Sequence, residues 1–405
     1  MLPPLKTVKA GLSRATEALA LELARPGTET PAWDGIQWRL ASAVAAAHGV
    51  SPVLSGRCRW QHTPWQRFLR DQHAHVECRQ RHIKAMLKRI DADARAAGLA
   101  VVALKGSALQ AMGLYAQGER PMADIDLLVR ESDAGAAGAM LQAIGYEEAY
   151  AQWKHRVFKP ADSQPVPGLG EHWDMPVNIE LHVRIQERLP VSVADVTGRV
   201  YPADARPGLN GYASTGGLMS HLLLHAAGSI CNRNLRLMHL HDIALLCAAM
   251  TADGWREVDG GRDDGSFWWA LPPLRMVDRY YPGAVPGDVL ARFARQCPLL
   301  LRTFSRRQTM TRVSCSELWL HPLAGMEWSR SAGDAGRYLK NRIRPSQETI
   351  QERDDMVRTQ LWLQGQRWPT MSLGRRALRW LTRPVPRMDM LYAVRAAMES
   401  PVLAP

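Results

Sequence analysis

The chain has 405 residues, 46% of them hydrophobic, enough for two or three domains with true cores. Its six cysteines form no C-x-x-C pair and keep no regular spacing, which excludes a disulfide framework or a zinc ribbon as the organising device. No window approaches 18 uncharged apolar residues, so a membrane-crossing helix is not expected, and the first residues lack the apolar core of a secretory signal; a cytoplasmic protein with reduced thiols is the expectation.

The formal net charge is +12, and from residue 301 onward 18 basic residues stand against 9 acidic ones. A basic segment of this kind meets nucleic acid, an acidic partner or an anionic membrane face, or is a solvated helical surface. Composition leaves that choice open.

Residues 1–98 read as a helical cap. An amphipathic segment runs from Ile36 to Val44 and ends near Gly49, and a longer helix is expected over residues 64–97. Its buried side is Phe68, Val76, Ile83, Met86, Leu87 and Ile90, and Gly98 stops it. Three histidines, His73, His75 and His82, lie along this helix without acidic or thiol partners at metal-ligand spacing.

A short apolar run, residues 101–104, reads as a buried strand and breaks at Lys105-Gly106-Ser107. Ser107 has the residue type of an N-cap for the helical stretch that follows. A helix start presents backbone N–H groups to an anion. The next strand, residues 122–129, alternates: Asp124, Asp126 and Leu128 share one face, Ile125, Leu127 and Val129 the other. Two carboxylates so placed are about 6–7 Å apart along the backbone and can converge on one hard divalent cation or on a pair of them.

An Ala-rich helix over residues 134–144 ends at Gly145. Strands at 146–150 and 155–159 are expected to pair as an antiparallel edge, and residues 161–170, rich in Pro and Gly, form a loop. A further strand, residues 176–183, sets Asn178, Glu180 and His182 on one face. From Ser214 the pattern is helical. His221 and His225 fall on one helix face, and His241-Asp242 opens another apolar run. The residue types of an HD-type metal phosphohydrolase are present there, but no fourth ligand is identifiable, so packing is expected instead. Residues 251–266 read as a polar loop, with helices over 267–281, 288–304 and 311–323. A basic tail carries Trp362, Trp368, Arg375, Arg376, Arg379 and Trp380, and leads to Pro384-Val385-Pro386.

Leu104-Lys105-Gly106, then Arg120, then Asp124-Ile125-Asp126-Leu127-Leu128-Val129 resemble the motif of a bacterial family of uncharacterised nucleotidyltransferases within the DNA polymerase beta-like nucleotidyltransferase superfamily. That family carries an E-L-H element similar to Glu180-Leu181-His182, and the resemblance covers residues 80–245. It implies an α+β fold, a polymerase-beta-like mixed sheet with N-terminal helices and a large C-terminal helical region. The expected division is 1–98 as cap, 99–213 as catalytic module and 214–405 as helical domain with the basic tail.

The resemblance further implies metal-dependent transfer of a nucleoside monophosphate from an NTP, with ATP favoured, to a hydroxyl of a small molecule, peptide or protein. Asp124, Asp126 and Glu180 then hold two Mg²⁺ ions, with Mn²⁺ as an alternative. Lys105, Gly106, Ser107 and Arg120 serve the nucleotide phosphates, and His182 orients Glu180 or touches the acceptor. The competing expectation is a catalytically silent module of this fold that docks to nucleic acid or a protein partner.

Overall fold

The computed structural model describes residues 2–261, 265–321, 323–359, 363 and 385–403. Trp362, Trp368, Arg375, Arg376, Arg379, Trp380 and Pro384 of the basic tail lie outside the described residues. The chain opens with four helices, α1 (Leu5–Ala24), α2 (Gly35–Ala47), α3 (Ser51–Ser55) and α4 (Thr63–Ala96). The Asp34 carboxylate accepts from Gln37 N at 2.7 Å and starts α2, and Pro64 sits in the first turn of α4, where no N–H is needed. Trp33, Trp38, Trp60 and Trp65 gather into one cluster with neighbouring ring centroids 5.0–6.0 Å apart. Gly98, at φ +67°, ends the approach from α4 and turns the chain into the sheet.

The sheet segment contains β1 (Ala100–Ala103), α5 (Gly106–Ala111), β2 (Asp124–Leu128), α6 (Ala134–Ala143), β3 (Tyr146–Ala151), β4 (His155–Pro160), β5 (Asn178–His182), the small hairpin β6 (Gln186–Arg188) and β7 (Val193–Asp195), α7 (Thr197–Val200) and β8 (Gly208–Asn210). Six strands pair in the order β3-β4-β5-β2-β1-β8. The β2–β5 and β1–β8 pairs are parallel and the rest antiparallel, so the sheet is mixed. The edge strand β8 and the β6–β7 hairpin were not anticipated.

Strand alternation sorts the sheet between two cores. Ile125, Leu127, Val129, Ile179 and Leu181 pack with Ile83 and Ile90 of α4 and with Leu141 of α6. Val102, Leu104 and Leu128 face the other way, into a larger core that draws on α1–α4 and on the C-terminal helices. One face is therefore sealed by α4 and α6, and the other is left for the site.

Over that second face lie α8 (Thr215–Cys231) and α9 (Leu237–Ala249), followed by α10 (Ala252–Asp259). His48, just beyond α2, fixes the start of α9: its Nδ1 accepts from Leu237 N at 2.9 Å, and its Nε2 lies 2.9 Å from Ser316 Oγ. The later helices are α11 (Leu271–Tyr280), α12 (Gly287–Gln296), α13 (Leu299–Ser305), α14 (Met310–Val313), α15 (Ala332–Ile343), α16 (Gln347–Thr359) and α17 (Met388–Glu399). The last returns to α2: Arg39 Nη1 donates to Ala397 O at 2.7 Å.

Three helical expectations are corrected. Residues 252–259 form α10, because Thr251 caps it (Gly254 N to Thr251 Oγ1, 3.0 Å) and Trp255 and Val258 bury one side. The single helix expected over 288–304 is broken by Pro298, which starts α13 after α12 has ended. That expected over 311–323 shrinks to Met310–Val313, after which Ser314 bridges Leu235 and Trp319 bridges Pro386.

Candidate active site

β2 and β5 pair in parallel with Asp124 opposite Asn178, Asp126 opposite Glu180 and Leu128 opposite His182. Since neighbouring strands lie about 4.8 Å apart, this register sets Asp126 and Glu180 side by side on the unsealed face, with Asp124 one pleat along. β4 adds a residue absent from the sequence-based set. It runs antiparallel to β5 with His155 opposite His182.

The side chains converge. Lys105 Nζ donates to Asp126 Oδ1 at 2.7 Å, and His182 Nε2 lies 3.2 Å from the same oxygen. The same His182 nitrogen is 3.5 Å from Glu180 Oε2, and His155 Nε2 is 3.6 Å from Glu180 Oε1. Burial, then the charges of Asp126 and Glu180, push the Asp124 carboxyl up to about 7. Burial also works against charge on Asp126, but Lys105 and His182 outweigh it and hold that carboxyl well below its ordinary value. Glu180 is lowered in the same way, its hydrogen bond from His182 overcoming burial. Burial pushes His155 down to about 4, so its imidazole is neutral at pH 7.

The turn after β1 differs from expectation. α5 begins at Gly106, which puts Lys105 at the N-cap position with φ +45° and ψ −112°, a conformation that a non-glycine residue holds only under constraint. Two bonds hold it: the Nζ contact to Asp126, and its backbone N–H, which donates to Tyr212 Oη at 3.0 Å. Tyr212 Oη in turn lies 2.8 Å from His221 Nδ1. Ser107 is therefore not the cap. Its backbone N–H donates to Leu104 O at 3.1 Å, closing the turn, while its Oγ is buried without a hydrogen-bond partner among the described residues. A Cβ at Gly106 would meet the Arg120 guanidinium and come within 2.7 Å of Met122 Sδ, so a larger residue there would displace both side chains.

Arg120 lines the cavity and is also anchored away from it. Its Nε and Nη2 donate to Oδ1 and Oδ2 of Asp242, each at 2.8 Å, and Tyr115 Oη donates to Asp242 Oδ1 at 2.6 Å. The pair is buried, so Arg120 ties the loop before β2 to α9 with both arms of its fork. The His241-Asp242 dyad is thereby divided: Asp242 serves Arg120, and His241 Nδ1 lies 2.9 Å from Tyr281 Oη.

These groups line a cavity of about 420 Å³ between the sheet and α8–α9, with Lys105, Ser107, Asp124, Asp126, Glu180 and His182 on the sheet side. The helices contribute His221, His225, Arg236 and His239. None of these entered the sequence-based site, although the His221/His225 spacing announced a common face. His225 packs edge-on against His239, ring centroids 4.7 Å apart. Arg236, exposed at the mouth, is one of the charges acting on Asp124.

The donor chemistry fits hard divalent cations. Asp124, Asp126 and Glu180 face Lys105, His182 and Arg236, and burial, ahead of the charges of Asp126 and Glu180, raises the Asp124 carboxyl. Carboxylate oxygens beside a cavity large enough for a small molecule are donors of the kind hard divalent cations take.

A mixed sheet carrying two acidic strands, with helices closing the opposite wall, is consistent with a nucleotidyltransferase fold. The sequence signature of the family described as "Uncharacterised nucleotidyltransferase" matches residues 34–260, more than half of the chain, and the chain belongs to that family. No curated protein and no solved structure gives a match. Among the described residues no helix is long and apolar enough to cross a membrane.

Proposed function

We propose that the protein is a metal-dependent nucleotidyltransferase that moves a nucleoside monophosphate from an NTP to a hydroxyl acceptor and releases pyrophosphate. The observation that carries the reading is the parallel β2–β5 register, which gathers Asp124, Asp126 and Glu180 on one face of the cavity. The acceptor oxygen attacks the α-phosphorus, the bond from that phosphorus to the bridging oxygen breaks, and pyrophosphate departs with the electron pair. Asp124, Asp126 and Glu180 would hold the metal, which when bound would offset phosphate charge and acidify the acceptor hydroxyl.

The chain's own groups do the positioning, which is the larger share of such catalysis. Ser107 Oγ, unpartnered at the cavity wall, donates to a phosphate oxygen. Lys105, 2.7 Å from Asp126 Oδ1, is the cation near enough to serve the phosphates from the turn. Glu180 receives the acceptor proton, with His182 and His155 fixing its carboxylate. Because Arg120 is committed to Asp242, Arg236 is the cation that meets the departing pyrophosphate.

Arg236→Ala is expected to raise KM for the NTP by tenfold or more, as a charge-assisted hydrogen bond worth about 1.5–3 kcal/mol is lost. The thermal melt should be unchanged, since the residue is exposed. Steady-state kinetics over a range of NTP concentrations reads this directly, and an unaltered KM removes Arg236 from the phosphate site. The activity itself is tested by supplying each of the four NTPs with Mg²⁺, with and without cell extract as acceptor source, and measuring pyrophosphate. Release dependent on extract, with ATP the best donor, supports the proposal; no release with any NTP under either condition counts against it.

The silent-module reading is less well supported. A scaffold has no use for three carboxylates on one face of a buried cavity, where burial and like charge both work against ionisation.

A further inference from the structure

The pair of histidines flanking Glu180 has a chemistry that the aspartates lack. His155 projects from β4 and His182 from β5, opposite one another in an antiparallel register, and their ring centroids are 4.9 Å apart at 60°. Glu180, two residues before His182, reaches both: Oε1 lies 3.6 Å from His155 Nε2 and Oε2 lies 3.5 Å from His182 Nε2. One ligand atom from each of the three residues lies within 4.8 Å of the other two. Zinc-type bonds of about 2.0–2.2 Å to nitrogen and oxygen put tetrahedral ligands roughly 3.3–3.5 Å apart, so small side-chain rotations close this set.

We propose that His155, Glu180 and His182 form a binding site for a first-row transition-metal dication of the Zn²⁺ type, chemically distinct from the aspartate pair. Two imidazole nitrogens with one carboxylate are a borderline-soft set, which favours such ions over Mg²⁺, an ion that takes oxygen donors in near-octahedral array. All three ligands stand on paired strands, so their positions are set by the sheet and not by a loop. The site opens on the same cavity, leaving the remaining coordination position to water or an acceptor hydroxyl. The two metal sites share Glu180, yet this assignment needs no nucleotide transfer to be true.

The test titrates Co²⁺ into chelator-stripped full-length protein and follows visible absorption, with Zn²⁺ binding measured by calorimetry. One equivalent should bind with the intense absorption of a four- or five-coordinate ion, and excess Mg²⁺ should not displace it. The Asp124→Asn variant, which leaves the Asp126 contact to His182 in place, should keep this absorption. His155→Gln should weaken Co²⁺ binding about a hundredfold, since even residues that only support a ligand are worth about 10–100-fold. Circular dichroism confirms that His155→Gln folds, and His182→Gln provides a second ligand variant. In the wild type, histidine ring-proton NMR locates the ion without any substitution.

Weak octahedral absorption, displacement by Mg²⁺, or binding untouched by both histidine variants would overturn the proposal. Intact Co²⁺ binding in a protein that transfers no nucleotide would sink the catalytic reading alone. Transfer with Mg²⁺ in a protein without the cobalt signature would sink only this one.

Discussion

Replacing Asp124 by asparagine is expected to abolish transfer of label from an α-³²P NTP, a fall of at least about 10³-fold, while leaving the fold intact. The second half of that outcome is the more discriminating. Burial and the neighbouring charges of Asp126 and Glu180 raise the Asp124 carboxyl to about 7. A carboxyl whose folded pKa lies above its unfolded value costs stability as pH rises from the ordinary carboxylate range through that folded value, after which the penalty is constant. In EDTA, therefore, Asp124→Asn should melt no lower than the wild type near pH 4 and progressively higher by pH 7. Thermal melts at those two pH values read the sign. A variant that melts lower at neutral pH would mean that the carboxylate is a structural anchor and not a charge awaiting a cation.

The largest stability effect is expected at Asp242. Its removal leaves Arg120 buried, with neither arm of the guanidinium hydrogen-bonded to a carboxylate. Breaking one side of a buried pair costs about 3–5 kcal/mol, whereas replacing both partners by apolar residues is often close to neutral. Asp242→Ala should lower the urea unfolding free energy by that amount, and Arg120→Met with Asp242→Leu should recover most of it. Burial works against the Asp242 charge, but Arg120 dominates and holds the carboxyl below its ordinary value. The stabilisation is thus present above the usual carboxylate range and lost only as pH falls through the depressed value, so the wild-type advantage over Asp242→Ala should persist at pH 5 and shrink in stronger acid. Equal unfolding free energies for wild type and Asp242→Ala would show that this pair does not anchor the loop before β2.

What could be read from residue order follows from how strongly each element is patterned. β2 and β5 were legible because a strand between two layers must alternate, and here each acid is followed by an aliphatic residue bound for the α4–α6 core. β6, β7 and β8 span three residues each, too short for alternation to register, and β8 exists only because β1 offers it an edge. α10 was hidden by its charges, although Thr251 ahead and Gly260 behind mark both ends.

The site shows the same division. Spacing within each strand singled out Asp124, Asp126, Glu180 and His182, which the fold brings to one cavity. His155 needed the β4–β5 register, which no local pattern encodes. Asp242 as the partner of Arg120 lies 122 residues away and is fixed by where α9 lands. Ser107 looked like a cap from its residue type, but the left-handed backbone at Lys105, held by Tyr212 and Asp126, moves the helix start one residue earlier. Packing between distant segments made these assignments, and single-sequence patterns do not carry it.

The central claim is that phosphorus chemistry occurs at the α position, beside the three carboxylates. It is tested most directly by giving the wild-type protein, with Mg²⁺ and an acceptor-containing extract, NTP labelled at the α- or the γ-phosphate in parallel. The account predicts α label on the acceptor and γ label in pyrophosphate, both lost in Glu180→Gln. Label from the γ position on the acceptor or in orthophosphate, or transfer undiminished in Glu180→Gln, would contradict it.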